Sequence, residues 1–374
     1  MALGSLLLVP LSIVLVVAGA APLVVFVVSA AAIIPLAEWT RRATEHLAAS
    51  AGSVIGGLLN VTFGNLAEFI IALFVLSHGD TDVAKAMITG SVVGNALFGL
   101  GLASLAGGWG RVRQTFSVQR AGLLSSLMVL SFVALVLPAV FDYVERGIFR
   151  SPQVGVLDAR LSLVVSLILI FVYASNLLYT LVTHRDIYAA DDGYEPTGPS
   201  GVVRTHRTTP DLGTRPSSAV WSTTRSTLVL LATAAALAIE AELLSSRLQA
   251  ASSGLHLSTF FLGLVVLPLL GNAAEYFAAV YFARQDRMDL VITIAVGSSI
   301  QVALLTAPLL VLASHLFSRP MSLVFTDPME LFAIGAVVFC VRSITQDGET
   351  TWFEGVLLLG VYGLLASAFF FATP

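Results

Sequence analysis

The chain has 374 residues, of which 57% are hydrophobic and 11% charged, with a formal net charge of −4 and a mean hydropathy of +0.90. Such a balance excludes a water-soluble globular domain and describes a polytopic membrane protein whose charges are left mostly to loops. No basic stripe with interleaved aromatics occurs, so no nucleic-acid partner is expected.

A helix that crosses a bilayer needs about 20 apolar residues. In chain order, such runs predict spans over 3–20, 21–38, 53–77, 83–108, 118–141, 159–183, 225–246, 257–283, 288–316, 327–343 and 353–372. The fold class is therefore an all-α polytopic membrane protein with about eleven transmembrane helices. The opening MALGSLLLVPLSIVLVVAGAAP carries the small residues of a cleavage site but lacks a basic n-region, and a second span follows at once. It reads as a retained helix. Cys340, the single cysteine, lies in a predicted span and excludes an intrachain disulfide.

Basic residues favour cytoplasmic loops. With the N-terminus inside, thirteen of the 19 Lys and Arg residues fall on the cytoplasmic side and six on the other. The expected orientation is a cytoplasmic N-terminus and an outside C-terminus, consistent with an odd number of spans. Nearly all the basic residues are Arg, a usage of GC-rich genomes, and the expected setting is a bacterial plasma membrane. The sequence carries no signal of oligomeric state.

Residues 64–97 match 271–304 at a constant shift of 207 without a gap. Ala and Leu matches are cheap in membrane sequence, but the pairs Asn65/Asn272, Glu68/Glu275 and Asp82/Asp289 are not, and Gly64/Gly271, Gly90/Gly297 and Ser91/Ser298 join them. Glu68 falls in the third span and Glu275 in the eighth, so the second copy crosses in the opposite direction. Inverted repeats of this kind mark secondary transporters with a site near the midplane. The expected organisation is an extra N-terminal helix over 1–20, a five-helix repeat over 21–183, a flexible cytoplasmic linker over 184–224 and a second five-helix repeat over 225–374. The linker is polar and carries the acidic run DDGYE at 191–195, read as a solvated loop.

The duplicated motif reads GNLAEFIIAL at 64–73 and GNAAEYFAAV at 271–280. A charged carboxylate at a helix centre costs roughly 2.5–3.5 kcal/mol on insertion scales, so Glu68 and Glu275 call for a cation or protons. Asn65 and Asn272 precede them by three residues and would share their helix faces. Gly64 and Gly271, with Gly56, Gly57 and Pro268 upstream, weaken the helices where carbonyls would be freed toward a cavity. Carboxylate, amide and carbonyl oxygens are the ligands of hard cations, and the set suits Ca²⁺.

The next helices supply Ser91 and Asn95 in GSVVGNALF, and Ser298 and Gln301 in GSSIQVALL. These complete the coordination, orient the carboxylates, or simply bond helices together; Gly90 and Gly94 form a GxxxG that often only packs. Glu240, Glu242 and Glu330 sit near span ends and read as interfacial carboxylates. The six histidines fall near loops or span ends without zinc spacing, so neither a metalloenzyme nor a bound cofactor is expected.

These residues resemble a known family. IIPLAEWTRRATEHLAASAGSVIGGLLNVTFGNLAEFIIAL is similar to the first α-repeat of the calcium/proton exchangers, the CAX branch of the cation/calcium antiporters, and LPLLGNAAEYFAAV with VGSSIQVALLTAP to the second. MSLVFTDPMELFAI and TQDGETTWFEGVLLLGVYGLLASAFFF resemble the family's last two helices. The resemblance implies that Glu68 and Glu275 bind the cation and exchange it for protons, with Asn65, Asn272, Ser91, Ser298 and Gln301 close by. The linker departs from the family pattern, having far fewer carboxylates than members with a long acidic helix. The expected function is a secondary transporter exchanging cytosolic Ca²⁺ for protons by alternating access, with Ca²⁺, protons and the lipid bilayer as its partners. An antiporter for Na⁺, K⁺ or Mn²⁺, and a cation channel, stay open as other readings.

Overall fold

A computed structural model describes residues 3–51, 53–149, 153–183, 221–317 and 320–372. The chain begins with a short apolar helix, α1 (Gly4–Val17), followed by the long α2 (Pro22–Ser50), which opens on a proline whose missing N–H is no loss at a first helical position. Next come α3 (Ser53–Phe63), α4 (Leu66–Ser77), α5 (Thr81–Gly108), α6 (Val118–Phe149) and α7 (Val154–Thr183). The second part runs α8 (Thr223–Ser245), α9 (Leu248–Leu255), α10 (Thr259–Gly271), α11 (Ala273–Arg284), α12 (Met288–Leu316), α13 (Pro328–Thr345) and α14 (Trp352–Phe371). Polar side chains fix several starts: Ser117 accepts from the Arg120 N–H, Asp327 from Met329, and Thr351 with Glu354 forms a capping box.

Eight of the described helices, α2, α5, α6, α7, α8, α12, α13 and α14, are each long and apolar enough to cross a bilayer, and α9 with α10 would make a ninth bent by 109°. Length alone therefore gives fewer spans than the eleven apolar runs, and the physical reason is local. The spans expected over 53–77 and 257–283 are each broken in two, at Asn65 (φ −99°, ψ 27°) and at Asn272 (φ −98°, ψ 11°). Asn competes for backbone partners and leaves the helix readily. Helix α9 falls in a stretch that hydropathy left as a loop. It ends at His256, whose φ of 56° turns the chain into α10.

Helices α5, α10 and α12 each carry a π-helical turn, at Gly94–Gly99, Leu262–Val266 and Val302–Thr306. Large apolar side chains such as Phe171, Phe339, Leu364 and Phe371 point outward, whereas small residues including Ala84, Ala86 and Ala103 are sealed inside. That is the packing of a membrane bundle, with lipid taking the outer face. Helices α2 and α8 pack along one another, tied by a 3.0 Å bond from Thr40 Oγ1 to Thr233 Oγ1. At one end, β1 (Gln114–Thr115) pairs antiparallel with β2 (Glu349–Thr350), and Gln114 Nε2 donates to the Ala283 carbonyl and to Asp286. The expected linker, with its DDGYE run, lies outside the described residues over 184–220, and α8 begins two residues before the expected 225.

Candidate cation-binding site

The two helix breaks meet. A Cβ built on Gly271 would stand 3.4 Å from both Cα and Cβ of Glu68, so the end of α10 rests on the first turn of α4. Glu68 is 2% exposed, and the side chains of Ser91 and Asn272 face its carboxyl group. Glu275, half-buried in the first turn of α11, lies within electrostatic range of it. Because each glutamate sits three residues past a break, it stands at the N-terminal end of its half-helix, where backbone N–H groups lack helical acceptors. Helices α4 and α11 start 207 residues apart, at Leu66 and Ala273, and both carry their acid at the third position.

Asn272 is the hub. Its Nδ2 donates to the Pro268 carbonyl at 3.0 Å and to Ser91 Oγ at 3.4 Å, while its Oδ1 accepts from Asn95 Nδ2 at 3.4 Å. Among the described residues the Asn65 side chain makes a single long contact, from Nδ2 to the Ser298 carbonyl at 3.5 Å. Gln301 reaches the other break, its Oε1 4.0 Å from where a Cβ on Gly64 would lie. Of the eight polar residues singled out in the sequence, seven bring side chains to the junction of the four half-helices and Ser298 brings its backbone carbonyl. Asn65 and Asn272 do so from outside the helices, not from the shared i, i+3 face that an unbroken helix would have given.

Glu68 Oε2, Glu275 Oε2 and Asn95 Oδ1 are buried without a hydrogen-bond partner among the described residues. Buried acceptors left without donors are the groups that a cation or a proton satisfies. No group of three or more His, Cys, Asp and Glu capable of holding a metal is found among the described residues. Two carboxylates with amide, hydroxyl and carbonyl oxygens make a hard-oxygen site of low charge, which fits a cation that must also leave.

Sequence reasoning missed three neighbours. Tyr276 is buried in electrostatic range of both glutamates, and Ser299 Oγ donates to the Val92 carbonyl at 3.1 Å, joining α12 to α5. Arg41 on α2, paired with Glu38 and Glu45, lies within electrostatic range of Glu275. Of the three carboxylates read as interfacial, only Glu242 is exposed, 3.5 Å from His78. Glu240 is fully buried and accepts from Ser12 Oγ at 2.6 Å, and buried Glu330 accepts from Thr89 Oγ1 at 2.9 Å. Position near a helix end did not reveal that α1 covers Glu240 and α5 covers Glu330.

The sodium/calcium exchanger protein family matches this chain twice, over residues 21–182 and 225–371. The chain belongs to that family. Among relatives of the exchanger, a Ca(2+)/H(+) antiporter of Synechocystis sp. is 39% identical over 348 residues, 93% of this chain and 91% of that protein. The Ca(2+)/H(+) antiporter ChaA of Bacillus subtilis is 37% identical over 93% of this chain and 92% of its own length. Among solved structures, native YfkE aligns over 97% of both chains with a TM-score of 0.79 and 33% identity. The H+/Ca2+ exchanger CAX aligns with a TM-score of 0.65 over 97% of this chain and 89% of its own at 14% identity, a likeness of fold alone. The resemblance to calcium/proton exchangers holds, and this exchanger is a multi-pass membrane antiporter, not an enzyme.

Proposed function

We propose that this exchanger moves cytosolic Ca²⁺ outward in return for protons, through one site shared by two inverted halves that opens to each side of the membrane in turn. The reading rests on one observation: the acids of two matched motifs, Glu68 and Glu275, stand at abutting helix breaks, each with a buried oxygen that no donor among the described residues satisfies. The names of its relatives, antiporters of Ca(2+) and H(+), agree with it.

The coupling follows from the chemistry of that pair. Two carboxylates beside one another and away from water repel each other, and either one Ca²⁺ or protons on the same oxygens remove the repulsion. Metal and protons therefore compete, and the empty, doubly charged site is too unfavourable to be sealed from water. The carrier crosses its barrier only when loaded. Asn272 and Ser91 hold the Glu68 carboxyl group in place, while Asn65, Ser298, Asn95 and Gln301 supply neutral oxygens or fix those that do.

In proteoliposomes made acidic inside, the outward proton gradient should drive uptake of isotopic Ca²⁺. Glu68→Gln and Glu275→Gln should each reduce that uptake to the level of empty vesicles while the protein still elutes as a folded species. Coupled exchange surviving in either variant removes that residue from the mechanism. Competition by Na⁺, K⁺ or Mn²⁺ stronger than by unlabelled Ca²⁺ would reassign the cation.

A further inference from the structure

The shift of 207 pairs each residue around one glutamate with a mate around the other, and at one place the mates differ sharply. Tyr276 follows Glu275 as Phe69 follows Glu68. The Tyr276 ring lies in a notch of α5: a Cβ on Gly94 would stand 2.8 Å from its hydroxyl, and one on Gly99 would stand 2.8 Å and 2.9 Å from its ring edge. Phe98 closes the notch edge-on, with ring centroids 5.3 Å apart. The mates of Gly94, Phe98 and Gly99 are Gln301, Leu305 and Thr306 on α12. There Phe69 does not fill the space. A cavity of about 140 Å³ remains, lined by Phe69, Leu305, Thr306 and Leu309 and reaching Asn65 and Gln301.

Packing around the two notches differs in the same sense. Helix α10 presses on α5 so closely that a Cβ on Gly90 would lie 1.8 Å from the Leu264 carbonyl oxygen, whereas α3, its counterpart, packs against α2. One notch is shut and tight. The other stands open beside the site, with room for several water molecules.

We infer that Tyr276 and Phe69 are paired gates on two access routes to the carboxylates, Tyr276 seated and closing its route, Phe69 withdrawn and leaving its own open. The inference rests on the antiporter reading and specifies its moving parts. Mated segments of an inverted repeat exchange conformations when the carrier turns over, so Phe69 seats against Gln301 and Thr306 as Tyr276 leaves Gly94 and Gly99. The Tyr276 hydroxyl supports a seat that is temporary, because it is buried with no hydrogen-bond partner among the described residues. A buried polar group left unpaired opposes the state that buries it.

Thiol labelling tests the gates without relying on transport. In a Cys340→Ala background, Leu309→Cys places a thiol at the open notch and Leu102→Cys places one at its mate, so the same residue type is replaced on both sides. A charged, membrane-impermeant methanethiosulfonate added to sealed proteoliposomes should label Leu309→Cys at least ten-fold faster than Leu102→Cys, and from one face only. Adding Tyr276→Ala should raise labelling of Leu102→Cys at least ten-fold, whereas Tyr276→Phe, which keeps the ring, should leave it protected. Should Tyr276→Ala fail to fold, Gly94→Ala displaces the same ring and should expose the same thiol.

Equal labelling of the two thiols, or protection of Leu102→Cys that survives loss of the ring, overturns the gates. If that protein still exchanges Ca²⁺ for protons, the exchange reading stands without them. Unequal labelling together with a Glu68→Gln variant that still exchanges leaves the gates standing and removes the exchange reading.

Discussion

The segments GSVVGNALF and GSSIQVALL are mates by sequence and opposites by packing. Gly90 opens the first, and a Cβ there would stand 1.8 Å from the Leu264 carbonyl oxygen and 2.8 Å from Pro268 Cγ. Gly297 opens the second, and a Cβ there would meet nothing within 4 Å. The lesson is that duplicated residues need not hold equivalent contacts: the first glycine lies against the backbone of another helix and the second against nothing, as the proposed alternating carrier would have in any one of its states. A glycine kept for close approach and a glycine with no neighbour can descend from one motif.

The largest expected effect is therefore an asymmetry between two conservative substitutions. Gly90→Ala forces backbone against backbone, and such overpacking costs about 1–3 kcal/mol or more. Gly297→Ala adds a methyl group to open space and should gain about 0.8–1 kcal/mol of helix propensity. Thermal unfolding in detergent should show Gly90→Ala melting well below the parent and Gly297→Ala at or above it. Equal losses would mean that the face beside Gly297 is packed as tightly in the folded protein as the face beside Gly90. That result would break the comparison at its base.

A smaller contrast is expected at the two asparagines. Among the described residues the Asn272 side chain bonds to Pro268, Ser91 and Asn95, whereas that of Asn65 makes one contact of 3.5 Å. Removing one partner from a buried bond costs about 1–3 kcal/mol when the other is left unpaired. Asn272→Ala, which strands two side-chain partners, should weaken Ca²⁺ affinity by ten-fold or more by equilibrium binding of isotopic Ca²⁺, and Asn65→Ala by less. The reverse order would indicate that Asn65 is the direct ligand and Asn272 only a brace between helices.

Much of this centre was legible in the sequence. The GNxxE motifs, their constant offset and the polar residues of the following helices singled out eight residues, seven of which bring side chains to the junction while Ser298 brings its carbonyl. Helix breaks were expected at Gly64 and Gly271, and the chain leaves the helix one residue later, at Asn65 and Asn272. That each run splits into two separate helices was not visible, because apolar periodicity treats an Asn inside an apolar run as one more position on a continuous helix. Whether it caps or continues depends on what its amide meets, here Pro268, Ser91 and Asn95 for Asn272. Tyr276 was overlooked for a related reason. A single hydroxyl distinguishes it from Phe69, and its role depends on two glycines far back in the chain, Gly94 and Gly99. Helix α9 was missed since eight residues rich in Ala, Ser and Gly carry too little hydropathy to register.

The mildest prediction concerns a carboxylate with no acidic mate. Glu240 corresponds by the same shift to Ile33, and both side chains are fully buried. The acid therefore lies outside the duplicated centre, although it is as deeply placed as Glu68. Its Oε1 accepts from Ser12 on α1, while its Oε2 and the nearby Ser29 hydroxyl on α2 both lack partners among the described residues. Glutamine has the same shape as the acid, keeps an oxygen to accept from Ser12, and offers an N–H to the Ser29 hydroxyl. Glu240→Gln should thus keep coupled transport within about two-fold, while Ser12→Ala should cost about 1 kcal/mol of thermal stability, the net worth of one hydrogen bond. Loss of exchange in Glu240→Gln with a normal melting profile would instead make Glu240 a third working carboxylate, and the two-acid symmetry would no longer describe the machine.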